Sequence, residues 1–393
     1  MHRKLRLTLP IILLALSISP AIIHQSRASQ VSTLLTGLSF PVALAFAPDG
    51  RIFFTEKDTG NIRVIQANNT LLATPFATVP NIYNSGEAGL LGIALDPTFT
   101  TNHYVYAYYT YRDASSYTHG HILRYTADNN TGTSPTNVFD VTSSAPNTLY
   151  HNGGYIKFGP DGKLYAMVGE FHQDQQAQNQ SSMTGKMLRM NSDGTVPTDN
   201  PIAGRLDFAW GIRNSFGFDW DPSSNRLIAT MAGPTSDDKI LIIVKGGNYG
   251  WRTCVGVCHD PNFINATVDI NPVVTPTGIA TVAPNTYIFG EYNTGNLVQL
   301  NLTSTGQVVS MATLDNEQGG IIAVEHGPNN KLYYTTPTTI YTLNLPATPA
   351  TPIIDGTLLY LYPLLAAIAT ILVITYLSLH RRGRRTDSTQ ATV

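Results

Sequence analysis

Residues 155–170 read YIKFGPDGKLYAMVGE. Two strand-like runs flank Gly159-Pro160-Asp161-Gly162. In such a turn proline presets one dihedral, aspartate bonds its own backbone and glycine supplies positive φ. The stretch therefore predicts a β-hairpin. The same phrase returns as VALAFAPDGRIFFTE (42–56), LGIALDPTFTTNHYVYAYYT (91–110), FGFDWDPSSNRLIATM (216–231) and IIAVEHGPNNKLYYTT (321–336), with a weaker copy, IATVAPNTYIFGE (279–291). Further strand-like pieces follow: GNIRVIQ, HILRYT, GKMLRMNSDG, KILIIVKGG, NLVQLNL and TIYTLNL. Six units of about four short strands predict an all-β fold, a six-bladed β-propeller. Two separate β-sandwiches would not make one hairpin phrase recur through the whole body. Residues 112–120, 128–150 and 171–183 read as polar loops capping one face.

Composition agrees. Of 393 residues, 42% are hydrophobic and 13% charged, which excludes a charge-rich disordered chain. Abundant Gly (32), Pro (24) and Tyr (20) suit short strands and turns. The net charge of −2 conceals basic ends. Without Arg3, Lys4, Arg6 and Arg27, and Arg381, Arg382, Arg384 and Arg385, residues 29–352 carry about −8. Such a body has no electrostatic footprint for nucleic acid.

Both ends read as membrane-directed. MHRKLR, an apolar stretch and Ser26-Arg27-Ala28 form a signal-peptide pattern over residues 1–28. The rival, an uncleaved anchor, is interrupted by Pro10, Ser17, Ser19 and Pro20. Leu358 to Leu379 is an uncharged apolar run long enough to cross a bilayer, and RRGRR follows it. The expected order is a signal peptide (1–28), propeller (29–348), linker (349–357), transmembrane helix (358–379) and basic cytoplasmic tail (380–393). The protein is then a single-pass cell-membrane protein with its propeller outside. In that compartment Cys254 and Cys258 are expected to form a disulfide. Haem attachment would need a stretched motif, and zinc would need ligands beyond His259.

The chain has no G-x-S-x-G, H-E-x-x-H or P-loop, so hydrolase, metalloprotease and nucleotide readings lack a motif. His151 opens a compact turn, HNGG, before an inner strand, where an imidazole suits proton transfer or a plain structural hydrogen bond. Arg213-Asn214 likewise precedes an inner strand; the guanidinium suits a carbonyl or anionic cofactor, or braces two blades. Glu87 lies in a third such turn, as a site carboxylate or a solvated one. Gly233-Pro234 followed by Asp237-Asp238 makes a carbonyl-rich acidic loop that suits Ca²⁺. His119 and His121 share a strand face but have no evident third ligand, and read as structural.

The phrases GEAGLLGIALDP (86–97), HNGGYIKFGPDGKLYAMVGE (151–170), GKMLRMNSDGTVPTDNP (185–201), WGIRNSFGFDWDP (210–222) and GPTSDDKILIIVKGGNYGW (233–251) occur in this order. Together they resemble the glucose/sorbosone dehydrogenase family of soluble-type, pyrroloquinoline-quinone (PQQ)-dependent aldose dehydrogenases, over roughly residues 33–345. The resemblance implies a six-bladed propeller that oxidises aldose sugars at the anomeric hydroxyl to lactones, passing electrons to an external acceptor. It implies His151 as general base, Arg213 and Asn214 over the quinone, Glu87 on the substrate side, and the carbonyls of Gly233 and Pro234 on Ca²⁺. The chain departs from the family's Arg-Asn-Pro-Gln-Gly with Arg213-Asn214-Ser215-Phe216-Gly217. Cationic partners for the cofactor's carboxylates have no counterpart in GEYNTGNL (290–297) or near Gly320 and Ile322. The alternative is a non-catalytic cell-surface propeller of the same descent that binds carbohydrate or protein. A sugar-lactone hydrolase would need inward acidic metal ligands that the sequence does not display.

Overall fold

All six hairpin phrases fold as the first two strands of a four-stranded antiparallel sheet, in a computed structural model that describes residues 31–346. The turn at Pro160 explains the recurrence. Lys163 N–H donates to Asp161 Oδ1 at 3.1 Å, while Gly162 takes φ +71° and donates to Gly159 O. Asp49 and Gly50 repeat this arrangement at the first copy. In the last three copies asparagine supplies the positive φ, at Asn225, Asn285 and Asn329.

Blade I holds β2 (Pro41–Phe46), β3 (Ile52–Glu56), β4 (Asn61–Ile65) and β5 (Ala77–Thr78). Blade II holds β6 (Leu90–Leu95), β7 (Tyr104–Arg112), β8 (Tyr117–Asp128) and β9 (Thr131–Pro146). Blade III holds β10 (Ile156–Phe158), β11 (Leu164–Val168), β12 (Lys186–Met190) and β13 (Asp207–Trp210). Blade IV holds β14 (Phe218–Asp221), β15 (Arg226–Met231), β16 (Asp238–Ile243) and β17 (Val268–Ile270). Blade V holds β18 (Pro276–Ala283), β19 (Thr286–Glu291), β20 (Asn296–Leu302) and β21 (Val308–Asn316). Blade VI takes β22 (Val324–Gly327), β23 (Lys331–Thr335) and β24 (Thr339–Asn344) from the end of the body and β1 (Val31–Thr36) from its start. β1 pairs with β24 from Val31↔Leu343 to Thr36↔Thr339, which closes the ring by sheet hydrogen bonds.

The core lies between the blades. Six clusters of buried residues sit one at each interface of neighbouring blades. Because strand side chains alternate, Leu164, Ala166 and Val168 of β11 face blade II, while Tyr165 and Met167 face blade IV. That double burial is why the second strand of each phrase is apolar on both faces. Two expected loops are mostly strand. Residues 131–146 form β9, and β7 and β8 take up most of 112–120. β8 and β9 are the outer strands of their blade, so they carry exposed polar residues that disguised them. The expected loop 171–183 is a loop with one turn of 3₁₀ helix, Asp174–Ala177.

The expected signal peptide, linker, transmembrane helix and basic tail lie outside the described residues. Among the described residues no helix is long and apolar enough to cross a membrane. Cys254 and Cys258 form a disulfide with a Cα–Cα distance of 5.8 Å.

Candidate active site

The loops that enter the inner strands of blades II, III and IV converge. His151, at φ +58°, is followed by Gly153 and Gly154, also at positive φ, which turn the chain into β10. A left-handed histidine is a strained position of the kind that clusters at functional sites. Gly169, at the end of β11, lies so close that a Cβ there would stand 2.1 Å from His151 O and 2.9 Å from Asn214 Oδ1. Only glycine lets these three segments meet.

His151 is buried, and its Nδ1 lies 2.7 and 2.8 Å from the two carboxyl oxygens of Glu170, which is fully buried. Nε2 makes no hydrogen bond within the described residues, so it is the ring atom left for a ligand. Glu87 Oε2 accepts from His151 N–H at 2.8 Å and from Asn214 Nδ2 at 2.9 Å. Asn214 Oδ1 in turn accepts from Gly153 N–H at 3.1 Å. Arg213 stacks its guanidinium 5.3 Å from the Trp251 ring centroid and donates from one terminal nitrogen to Ala232 O at 3.1 Å. Its Nε is buried with no partner among the described residues. His151, Arg213, Asn214 and Glu87 thus form one cluster.

Electrostatics favour a neutral imidazole. Burial, and then the charge of Arg213, hold the His151 pKa down to about 4, against the pull of Glu87 and Asp174. Burial pushes Glu170 up to about 8, with Arg213 opposing. The two groups titrate as a pair. When Glu170 is protonated it donates to Nδ1, and the ring's own hydrogen sits on Nε2. When Glu170 is ionised it accepts from Nδ1–H, and the Nε2 lone pair is free to act as a base.

Beside the cluster, a cavity of about 380 Å³ opens at the ring axis, and every blade contributes to its lining. Glu87, Tyr150 and Gly153 connect it to His151. Phe40, Tyr155, Phe216 and Tyr292 supply aromatic walls, and Lys57 supplies a cation. Lys57 also bonds Asp58 and the carbonyls of Gly86 and Ala88, which flank Glu87.

The loop carrying Gly233 and Pro234 adjoins Ala232, the acceptor of the Arg213 bond. Its acidic side chains are turned to the protein. Asp238 accepts from the N–H groups of Gly233, Val274 and Thr275 at 2.6–2.7 Å, and Asp237 bonds Ser236 and Asn271. Among the described residues no group of three or more His, Cys, Asp or Glu side chains could hold an ion. His119 and His121 bond the two oxygens of Asp140, each at 3.0 Å, away from this cluster.

Residues 38–341 match the family model described as glucose/sorbosone dehydrogenase. The chain belongs to that family. It is 34% identical over 263 residues to quinoprotein glucose dehydrogenase B of Acinetobacter calcoaceticus, covering 59% of this chain and 54% of the relative. With aldose sugar dehydrogenase YliI of Escherichia coli (strain K12) it shares 33% identity over 260 residues, 64% of this chain and 68% of the relative. The PQQ-bound structure of aldose sugar dehydrogenase from Streptomyces coelicolor superposes with a TM-score of 0.71 at 30% identity, covering 80% of this chain and 98% of that one. The chain therefore spans about half the length of the first of these relatives and nearly all of the last.

For this member of the glucose/sorbosone dehydrogenases, the fit to a planar quinone can be judged from the cavity. Its volume lies in the range of small-molecule sites. Its aromatic walls suit a flat ring system, and Lys57, paired with Asp58, is the cation in its lining, with Arg213 in the neighbouring cluster. The residues fit such a group. The walls from blades V and VI carry Thr275, Thr277, Tyr292 and Ile322, with no cation among them. The resemblance leads one to expect charge on these walls, and hydroxyl and apolar groups stand there instead.

Sequence reasoning missed Glu170, and the repeats give no signal for it. The second strands of blades I and V end in glutamate, Glu56 and Glu291, within EKDTGN (56–61) and EYNTGN (291–296), whereas in blade III Val168 holds that register position and Glu170 lies two residues further on. In blades I and V the carboxylate accepts from the threonine three residues on, Thr59 or Thr294. In blade III the turn is longer, and Glu170 bonds His151.

Proposed function

We propose that the protein is a PQQ- and Ca²⁺-dependent dehydrogenase that oxidises aldose sugars at the anomeric hydroxyl to lactones. The observation that carries this reading is the His151 ring, fixed at Nδ1 by Glu170 and free at Nε2, beside Arg213 and Glu87 at the mouth of the channel. His151 Nε2 takes the sugar hydroxyl proton. Glu170, ionised in the active form, orients the ring and stabilises the imidazolium that results. Glu87, fixed through one oxygen by His151 N–H and Asn214, presents its other oxygen toward the sugar. Arg213 and Asn214 stand on the cofactor side, and the Gly233 and Pro234 carbonyls are the ligands for Ca²⁺. PQQ, when bound, supplies the two-electron acceptor that takes the hydride from the anomeric carbon. The electrons then pass to an external acceptor.

The basic, apolar N-terminus and the apolar run with RRGRR support an exported protein tethered at the cell membrane, propeller outward. The full-length chain in detergent, supplied with PQQ and Ca²⁺, is expected to reduce a redox dye in the presence of aldoses. Quinone binding by calorimetry without turnover would contradict the catalytic reading. Absence of both binding and reduction would favour the carbohydrate- or protein-binding alternative.

A further inference from the structure

The turn between the second and third strands of blade III differs from its counterparts. In blades I and V it is short, EKDTGN and EYNTGN, with Gly60 and Gly295 at φ +72° and +74°. Their N–H groups close the turn on Glu56 O and Glu291 O, each at 3.1 Å. Blade III ends its turn with the related Thr184-Gly185-Lys186, with Gly185 at φ +70° bonding Gly169 O. Residues 171–183 are inserted between Glu170 and that ending. Glu170 lies two positions beyond the strand end Val168, which pairs with Lys186 as Glu56 pairs with Asn61. The insertion carries His172, whose ring centroid lies 4.8 Å from that of His151, and it begins at Glu170. Where blades I and V place Asn61 and Asn296, this blade places Lys186.

Lys186 is fully buried, and its Nζ donates to three carbonyls of the insertion and its ending: Gln176 and Ala177 at 2.9 Å and Thr184 at 3.0 Å. The three ammonium hydrogens match three acceptors, and two of these are final carbonyls of the 3₁₀ turn Asp174–Ala177. We propose that Lys186 is a positioning residue of the candidate active site, clamping the inserted segment so that Glu170, at its start, is held against His151. Two further bonds carry the clamp to the site: Gly211 N–H to Ala177 O at 3.1 Å, and Glu170 N–H to Arg213 O at 3.0 Å. The inference rests on the catalytic reading for its kinetic consequence, and on the structure alone for its effect on the His151 ring.

The test uses the full-length chain with Lys186→Asn, which restores the residue of the short turns, and Lys186→Met, which keeps the stem without its donors. The first readout is the NMR titration of His151, which does not depend on activity. In both variants the His151 titration is expected to move up toward that of a solvated imidazole, with the Gly211 amide exchanging about tenfold faster or more. Aldose turnover, where the catalytic reading holds, is expected to fall about tenfold in kcat with KM little changed. A His151 titration like that of the parent chain, with only a lower Tm, would overturn the proposal, because Lys186 would then be purely structural. Failure of both variants to fold would overturn it as well, since the propeller and not the site would need the residue. A shifted His151 titration in a chain with no sugar turnover would leave the clamp standing and remove the catalytic reading instead.

Discussion

At the scale of single residues, the account turns on which atom of His151 carries its hydrogen. Below about pH 8 the pair of His151 and Glu170 retains a proton, and Nε2 is occupied. Above it the carboxylate is ionised and Nε2 is free. A group with a raised folded pKa reaches its deprotonated form only as pH climbs through that value, so kcat/KM for aldoses is expected to rise with pH through about 8. Glu170→Gln removes the ionisable partner. It is expected to abolish that limb and to lower the rate by about 10²-fold or more, which a pH–rate series would check. His151→Ala is expected to lower kcat/KM by about 10²–10⁴-fold with little change in Tm. Retained turnover in that variant would remove the imidazole from the mechanism.

At the scale of elements, the hairpin turns bear the fold. A Cβ placed on Gly162 would touch nothing within 4 Å, so only its φ of +71° resists substitution. Gly162→Ala is therefore expected to cost about 1–2 kcal/mol in denaturant unfolding, with sugar turnover unchanged. A neutral effect would mean that the turn relaxes. These turns made the hairpins legible, because proline, aspartate and glycine act locally and leave a pattern in one dimension. The outer strands were hidden for the opposite reason. β9 and β21 each have a solvated face, and threonine-rich polar stretches such as 131–146 look like loops until the neighbouring strand is in place. His151, Arg213 and Glu87 were legible from their turns ahead of inner strands. Glu170 was not, since its partner His151 is brought to it only by the bend at Gly153 and Gly154.

At the scale of the whole molecule, the ring is stabilised by contacts between blades and closed by one strand. Phe53 is fully buried between blades I and II, where Phe76 and Phe99 pack edge-on against it. Phe53→Ala is expected to cost about 3–5 kcal/mol, read as a lower midpoint of cooperative unfolding. A loss below about 1 kcal/mol would mean that the interface repacks around the gap. The same closed ring explains how residues 87, 151 and 213, far apart in sequence, meet in one cluster: each lies just before an inner strand, and the inner strands surround a common axis. The central claim is therefore geometric. A crystal structure of the chain with PQQ, Ca²⁺ and an aldose tests it most directly. The account expects the anomeric hydroxyl at about 2.6–3.2 Å from His151 Nε2. A sugar bound elsewhere, or held with that hydroxyl turned away from His151, would contradict it.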